Sequence, residues 1–352
     1  MKNNINIALI IPFYNEKLFI EQTLRSLAQQ RVSRGLSWTT VFVDNGSTDN
    51  TADIIRLYCT KHHLPFHIIE EQRKGTVYSR TTGLRYGASL KPEVLISTDA
   101  DTTFPPLFIE TTYQDMLGGD ADFLCGRRNT HPTIDLWKRL MSKNIYNAYR
   151  VIWNLEYELF GPYAFGAYFA IKTSTFTGLP LYQPAQHVKF IGEDVLLSRR
   201  CFYTGASIKR SHMAVTPNPR KDIALGIQGF RRMPGNMPQT HNANLSTSLL
   251  QYNPIPKEVE VGLLKQIYTF TAKRLVWSAA DAYVFWKKTG MIHTNAYTSA
   301  QKTINFLGLD IQAIDAYKKK SLSTHQLYTK LTKSHVQQIN DAIQKYVKTT
   351  TQ

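Results

Sequence analysis

The sequence predicts an α/β fold with a mostly parallel sheet that is covered by helices on both faces. Short apolar runs rich in β-branched residues alternate with amphipathic helical segments over residues 5–102. Some of these runs stop abruptly at carboxylates, and strand ends of this kind face the ligand crevice in an open α/β sheet. The chain has 352 residues, of which 43% are hydrophobic, so we expect a well-packed core.

The first predicted unit is a buried strand over residues 5–12, followed by a helix that opens after Glu16. A second strand spans residues 40–44. The turn at residues 45–51 carries Ser, Thr and Asp side chains that can cap the next helix. A third strand, residues 66–69, precedes a turn and another helix, so the connections are those of a right-handed parallel sheet.

The fourth strand, residues 94–98, delivers two carboxylates, Asp99 and Asp101, to its own carboxyl end. An Asp-X-Asp pair in that position can hold a hard divalent cation that bridges phosphate oxygens. Taken alone, the same pair is also compatible with a turn that caps a helix.

Beyond residue 102 the strand-helix alternation weakens. A long aromatic helical stretch over 133–160 fits packing on the sheet edge or a surface facing an acceptor or a membrane. Asp194 lies in the first turn of a later helix, where the helix dipole favours an ionised carboxylate, and it also fits a simple cap. The remaining predicted elements are a helix through 108–116, strands at 122–126, 167–171 and within 209–221, and a helix from 192 onward.

Residues 233–257 carry five prolines and glycines without periodicity and predict a linker, and residues 258–352 predict a basic helical extension. No stretch is apolar enough to span a bilayer. Because residues 1–6 lead directly into a strand, we expect no signal peptide and a cytoplasmic protein, with a peripheral location on the inner face of the membrane as an option. Cys59, Cys125 and Cys201 have no metal-type spacing and predict reduced core thiols.

The formal charge of +16 is concentrated in two stretches. Residues 199–232 contain eight bases and one acid, and residues 251–352 contain fourteen bases and six acids. This balance suits a phosphate-rich ligand, an anionic membrane surface or nucleic acid. Nucleic acid is not the expected partner, because the bases lie in no recognised DNA- or RNA-binding module and the N-terminal half is nearly neutral.

Four motifs in fixed order resemble the GT-A type, family 2 glycosyltransferases, which are inverting enzymes: residues 11–16 (IPFYNE), residues 43–49 (VDNGSTD), Lys74-Gly75 with Arg80, and residues 97–101 (STDAD). Residues 166–172 and Gly192-Glu193-Asp194 resemble the acceptor-side segments of that family. The resemblance implies a GT-A domain over residues 1–232, with a nucleotide-sugar-binding half at 1–102 and an acceptor half at 103–232.

By this resemblance we expect a nucleoside diphosphate sugar donor, with UDP favoured, and an unknown acceptor that could be lipid-linked. Asp101 would ligate Mg²⁺ or Mn²⁺, and Asp194 would be the catalytic base of a single inverting displacement. The residues expected on the nucleotide side are Pro12, Tyr14, Glu16, Asp44, Lys74, Arg80, Asp99 and Arg220.

Some features depart from the family pattern. The Gln-X-X-Arg-Trp motif of processive synthases has only a partial counterpart at residues 228–232, where Arg232 replaces tryptophan, so we expect a non-processive enzyme. His212 is more simply explained as structural than as a metal ligand. A retaining GT-A transferase acting on a small phosphorylated acceptor, a nucleotidyltransferase, and a basic nucleic-acid- or membrane-binding protein remain as alternatives.

Overall fold

The computed structural model describes residues 5–129, 143–164, 166–180, 182–184, 191–218, 257–290, 295–309 and 323–351. The strands are β1 (Ile7–Phe13), β2 (Trp38–Asp44), β3 (Phe66–Glu70), β4 (Val94–Thr98), β5 (Thr102–Thr103), β6 (Phe123–Arg128), β7 (Tyr168–Lys172) and β8 (Ile208–Pro217). The helices are α1 (Ile20–Ala28), α2 (Thr51–Lys61), α3 (Thr76–Ser89), α4 (Phe108–Leu117), α5 (Lys143–Phe160), α6 (Thr173–Thr177), α7 (Glu193–Tyr203), α8 (Lys257–Thr289), α9 (Asn295–Phe306) and α10 (Thr324–Thr351).

The strands form one sheet in the order β3-β2-β1-β4-β7-β6-β8-β5. Strands β1 to β4 are parallel to one another, and β6 is parallel to β8. Strand β7 is antiparallel to both of its neighbours, β4 and β6. The prediction of a mostly parallel α/β sheet is confirmed, and β7 joins its two parallel parts.

Alternation along β1 explains why helices cover both faces of the sheet. Ile7, Leu9 and Ile11 point into a core that includes residues of α1, α2 and α4. Ala8 and Ile10 point into a second core with residues of α3 and α7. All seven residues of β1 are buried, as expected for a central parallel strand.

Helix α3 packs closely on the sheet at Gly83, where an added Cβ would lie 2.5 Å from Ile10 Cγ2 and 2.8 Å from Val43 Cγ2. We expect Gly83→Ala to lower the free energy of unfolding by about 1–3 kcal/mol, because overpacking forces neighbouring side chains to move. Gly262→Ala is the matched control, since Gly262 lies exposed on α8 with no atom within 4 Å of the added Cβ. It should stabilise by about 0.5–1 kcal/mol through helix propensity. Urea unfolding measures both, and equal effects of the two would contradict this account of the packing.

The C-terminal helices α8, α9 and α10 form a further hydrophobic core together with α5. The middle of α8 is buried there, including Leu275, Val276 and Ala280. Over the residues that the structure describes, no helix has both the length and the apolar character needed to cross a membrane. The predicted linker at 233–257 lies outside the described residues except for its last residue.

Candidate functional site

The end of β4 is fixed by neighbours on both sides. The Thr23 hydroxyl on α1 donates to the Ala100 carbonyl at 2.7 Å, and the Asn218 amide after β8 donates to the Asp101 carbonyl at 2.8 Å. The short pairing of β5 with β8 continues this contact. Asp101 is 5% exposed, whereas the Asp99 side chain is 25% exposed. The Asp-X-Asp turn is therefore held between α1 and β8.

Arg80, on α3, connects the end of β4 to the start of α7. Its Nη2 donates to Asp99 Oδ1 at 2.8 Å, and its Nε donates to Glu193 Oε1 at 3.0 Å. Its Nη1 donates to Ser97 Oγ at 2.7 Å and to the Gly166 carbonyl at 3.1 Å. Burial opposes the charged form of Arg80, but Asp99, Glu193 and Asp194 raise its pKa above the ordinary value. One buried cation thus holds together carboxylates from two distant parts of the chain.

Asp194 lies in the first turn of α7, one residue after the Glu193 that Arg80 binds. An added Cβ at Gly166 would lie 3.2 Å from Arg80 Nη2 and 3.5 Å from Asp194 Oδ2, so both groups face the same spot. At Gly192 an added Cβ would lie 2.4 Å from Asp194 Oδ1. Any side chain there would displace the carboxylate, which explains the glycine before Glu193.

Burial, followed by the neighbouring carboxylate of Glu193, raises the pKa of Asp194 to about 7. Arg80 and the Val195 amide, which donates to Asp194 Oδ1 at 2.8 Å, act in the opposite direction. The sequence interpretation considered only the helix dipole, which favours ionisation. Desolvation outweighs that effect here and moves the pKa into the range of a useful general base.

Tyr182 is a nearby residue that the sequence reasoning missed. Burial and, after it, the carboxylate of Glu193 raise the pKa of Tyr182. Arg80 lowers this pKa and Asp194 raises it, and the net shift is upward, so the phenol stays protonated beside these carboxylates. Its ring packs edge-on against Phe176 at 6.1 Å between centroids. No pattern near residue 182 marks it, because only the fold brings it to α7.

Another part of the candidate site lies at the carboxyl ends of β1, β2 and β3. Asp44 ends β2 and accepts a hydrogen bond from the Ser47 amide at 2.7 Å. Tyr14 follows β1 and is 49% exposed, and the Lys74 ammonium lies 4.6 Å from its ring centre. Lys74 also donates to the carbonyls of Asn45, at 3.1 Å, and Gly46, at 2.7 Å. These side chains lie at one edge of the sheet, where β1, β2 and β3 end.

Two further predicted residues contribute through the backbone at this edge. Pro12 is buried in β1 opposite Val43. The Glu16 carbonyl accepts the amides of Phe19 and Ile20, both at 2.9 Å, and so leads into α1. Glu16 is 9% exposed.

Asn45 was not predicted as a site residue, although it lies inside the VDNGSTD motif. Its Nδ2 donates to the carbonyls of Glu71, at 2.9 Å, and Arg73, at 2.7 Å, and its Oδ1 accepts the Gly75 amide at 2.7 Å. It therefore joins the ends of β2 and β3 to the start of α3. Hydrogen bonds from Arg73 lower the pKa of Glu71 to about 2, so this turn is also tied by a charged pair.

Some residues that the sequence analysis considered for the site are not among those that the structure places at the candidate site. Arg220, the basic loop around it, and residues 228–232 lie outside the described residues. His212 is 86% exposed, and its Nδ1 lies 2.8 Å from Asp115 Oδ1 on α4. This contact agrees with the structural explanation of His212.

The chemistry of Asp101 and its surroundings fits a hard cation. Thr98 and Thr102 flank the Asp-X-Asp turn, and their buried hydroxyl oxygens have no hydrogen-bond partner among the residues that the structure describes. Among the described residues, no group of three or more His, Cys, Asp or Glu side chains could hold a metal. Since Asp99 is already bound by Arg80, a divalent ion at Asp101 would need ligands from a bound substrate or water as well.

The fold and this site define an α/β protein with carboxylates at the carboxyl ends of its parallel strands. Residues 8–176, just under half of the chain, match the family model described as glycosyl transferase family 2. The matched part includes Asp44, Arg80, Asp99 and Asp101, and it ends before Asp194. The family recognised from the motifs, and with it the GT-A fold class, is confirmed.

Curated relatives resemble only part of the chain. Glycosyltransferase AglE of Haloferax volcanii is 27% identical over 33% of this chain and 40% of its own length. Dodecaprenyl-phosphate galacturonate synthase of Rhizobium johnstonii is 28% identical over 36% of each chain. The chain thus spans well under half of the length of these two relatives.

Among solved structures, the mannosyltransferase PcManGT of Pyrobaculum calidifontis, in complex with GDP-Man and Mn²⁺, is 16% identical. The match covers 97% of this chain and 84% of that chain, with a TM-score of 0.46. TarS 1-349 of S. aureus, in complex with UDP, is 17% identical over 86% of this chain and 90% of that chain, with a TM-score of 0.45.

Proposed function

We propose that this protein is a glycosyltransferase that moves a sugar from a nucleoside diphosphate sugar to an acceptor hydroxyl by an inverting, metal-dependent displacement. The observation that carries the proposal is the position of Arg80, which binds Asp99 at the end of β4 and Glu193 beside Asp194. A donor lying along the sheet edge from Asp44 to Asp101 would present its sugar to Asp194. The family match supports the reaction class.

The nucleoside would bind at the ends of β1 and β2. The second carboxylate oxygen of Asp44 can accept a hydrogen bond from a uracil N–H or a ribose hydroxyl, since within the described part of the chain the Ser47 amide binds Oδ1. The exposed ring of Tyr14 offers a face for stacking, with Pro12 and Glu16 shaping the backbone beside it. UDP is the favoured nucleotide. Arg220 stays a candidate for contacting the diphosphate.

Asp101 would hold Mg²⁺ or Mn²⁺ against the diphosphate, with Asp99 oriented by Arg80 next to it. The bound cation would offset the charge that develops on the leaving nucleoside diphosphate. Lys74 supplies a further positive charge on the nucleotide side. The chain itself contributes few ligands, so metal and donor should bind together.

Asp194 would take the proton from the acceptor as its oxygen attacks the anomeric carbon from the face opposite the nucleotide. Its raised pKa makes it basic enough to accept that proton near neutral pH. The proton moves to Asp194, the new glycosidic bond forms, and the bond to the diphosphate breaks with its electron pair. The phenol of Tyr182 would stay protonated and could donate a hydrogen bond to the acceptor or sugar.

A lipid-linked acceptor is the favoured acceptor class. The support is the similarity to the Rhizobium relative, a dodecaprenyl-phosphate galacturonate synthase. The exposed Trp153 and Tyr157 of α5 add aromatic surface that would suit the edge of an anionic membrane. With no tryptophan in the partial Gln-X-X-Arg-Trp counterpart, one sugar per acceptor is expected.

The test is a thermal-shift screen of nucleoside diphosphates and their sugars with and without Mn²⁺, because a ligand that binds only the native state raises the melting temperature. We expect stabilisation by a nucleoside diphosphate sugar that depends on Mn²⁺ and is lost in Asp101→Asn. Asp53→Asn is the matched control, since Asp53 is an exposed aspartate on α2 that pairs only with Arg56 in the contacts described. No shift with any donor, or an equal shift in Asp101→Asn, would contradict the proposal.

Product analysis separates the two enzymatic alternatives. A nucleotidyltransferase would release pyrophosphate, whereas a glycosyltransferase releases a nucleoside diphosphate. The anomeric configuration of the product, read by NMR, distinguishes inversion from retention.

A further inference from the structure

Helix α7 carries two buried arginines on the turns that follow Asp194. Arg199 is fully buried and Arg200 is 3% exposed. From the sequence they counted toward a basic stretch that could meet phosphate or lipid. In the structure both side chains instead contact carboxylates on α5 and α8. Helix α5 lies near the C-terminal end of the region that matches the family model, and α8 lies beyond that region.

Arg200 forms a bidentate pair with Asp281 on α8. The two hydrogen bonds, Nη1 to Oδ2 and Nη2 to Oδ1, are both 2.9 Å long. Asp281 is 1% exposed, and the Arg200 guanidinium lies 4.9 Å from the ring centre of Phe285, also on α8. The Thr324 hydroxyl, at the start of α10, reaches Asp281 Oδ1 at 3.4 Å. A planar fork of this kind fixes orientation as well as distance.

Arg199 makes a second connection to the same helices. It donates to the Ser278 hydroxyl, one turn before Asp281 on α8. Its Nη2 lies 3.6 Å from Glu156 Oε2 on α5, and Arg274 of α8 binds the other oxygen of Glu156 at 2.8 Å. Burial lowers the pKa of Arg199, which shows that its desolvation is costly.

Apolar contacts connect α8 to the first turn of α7 as well. Val195 and Leu196, directly after Asp194, share a small core with Ile191 and with Trp277 of α8. Trp277 is 2% exposed, so it packs against α7 and does not face solvent. Trp277 of α8 therefore packs behind the turn that carries Asp194. Along α8, Trp277 lies three residues after Arg274 and four residues before Asp281.

Replacing a buried ion pair with apolar residues of similar size is often neutral or stabilising, because desolvating the charges costs as much as their attraction returns. Two such pairs on one eleven-residue helix therefore need a reason other than stability. Their geometry supplies one, since the two-bond fork of Arg200 on Asp281 sets the orientation of α7 relative to α8.

We propose that Arg200 and Asp281, supported by Arg199 and Glu156, are positioning residues: they hold α7 so that Asp194 faces the acceptor beside Arg80. The C-terminal helices then belong to the catalytic unit. This inference rests on the proposed function, because it assigns Asp194 as the base.

The test is the double variant Arg200→Met/Asp281→Leu, which removes both charges together and keeps the volume. We expect a melting temperature equal to or above that of the wild type, with faster hydrogen–deuterium exchange at the amides of residues 192–197. Turnover at saturating donor should fall roughly 10- to 100-fold with an unchanged KM for the donor, because small displacements of a catalytic group have effects of this size. Arg200→Lys, which keeps the charge and loses the fork, should show the same changes in exchange and turnover, with a lower melting temperature, and replaces the double variant if that one does not fold.

The control is Glu21→Gln/Arg25→Met, which removes an exposed pair on α1 whose ion pair is 2.7 Å long. It should leave both exchange and turnover unchanged. A folded Arg200→Met/Asp281→Leu protein with wild-type exchange and wild-type turnover would overturn the inference. If the wild type transfers no sugar from any donor, the proposed function fails, and the exchange of residues 192–197 still decides whether the pair positions α7.

Discussion

Asp194→Asn is expected to lower turnover by a factor of about 10²–10⁴, the usual contribution of a general base, while donor affinity stays nearly the same. The asparagine is isosteric with the aspartate, and it can still accept the Val195 amide. It cannot take the acceptor proton. Steady-state kinetics with the donor identified by the thermal-shift screen, together with donor titration by calorimetry, measures both quantities.

The pH dependence provides a second readout of the same variant. Wild-type turnover should rise with pH through about 7, where Asp194 loses its proton. The folded pKa is raised above the unfolded value, so the native state binds more protons and this group makes stability fall as pH rises from about 4 to about 7. In Asp194→Asn this group no longer lowers the stability as the pH rises. The melting temperature of the variant minus that of the wild type should therefore be larger at pH 8 than at pH 5.

Asp122→Asn is not a suitable control, because Asp122 pairs with Lys172 and accepts the Ser207 amide. Asp53→Asn is suitable, since its carboxylate is exposed on α2 far along the chain from α7. Unchanged turnover in Asp194→Asn would reject the assignment of the base. An identical pH dependence of stability in the variant and the wild type would reject the raised pKa.

Arg80→Met should destabilise the protein by about 3–5 kcal/mol, the cost of breaking a buried ion pair by removing one partner. The loss is expected to be large because Asp99, Glu193 and Asp194 would remain near one another without the cation between them. Urea unfolding at pH 8, above the pKa of about 7 of Asp194, gives the full effect. At lower pH protonation relieves part of the repulsion, so the difference from the wild type should shrink.

If the Arg80→Lys variant is active, its turnover should rise at a higher pH than the turnover of the wild type. Arg80 lowers the pKa of Asp194, and a lysine cannot keep bonds to Asp99, Glu193, Ser97 and the Gly166 carbonyl with the same geometry. Arg25→Met is the control, since Arg25 is exposed and its pair with Glu21 should contribute little to stability. Equal destabilisation by Arg80→Met and Arg25→Met would show that Arg80 does not hold the carboxylates together.

Local patterns were sufficient to predict the first half of the fold. The apolar runs that became β1, β2 and β4 are buried on both faces, so their composition has little freedom, and the turns after them carry the polar residues that a crevice needs. Strand β7 was also found, but its antiparallel direction was not, because direction depends on which neighbours the chain reaches.

The candidate site was predicted less completely. Asp99, Asp101 and Asp194 were named from motifs, whereas Arg80 was placed only on the nucleotide side. Its contacts show that it also binds Glu193, a residue 113 positions away. Such a contact leaves no local signal, because it depends on how α3 and α7 pack on the same face of the sheet.

The sequence by itself determined the α/β fold, the family and the carboxylates at the strand ends, since these follow from periodicity and from short motifs. Only the tertiary structure decided that Arg199 and Arg200 are buried ion-pair partners, and that the pKa of Asp194 is raised to about 7. The physical reason is that burial and the distance between charges depend on residues far apart in the chain. Desolvation and Coulomb interactions, which set the charge state of a site, act through space and not along the sequence.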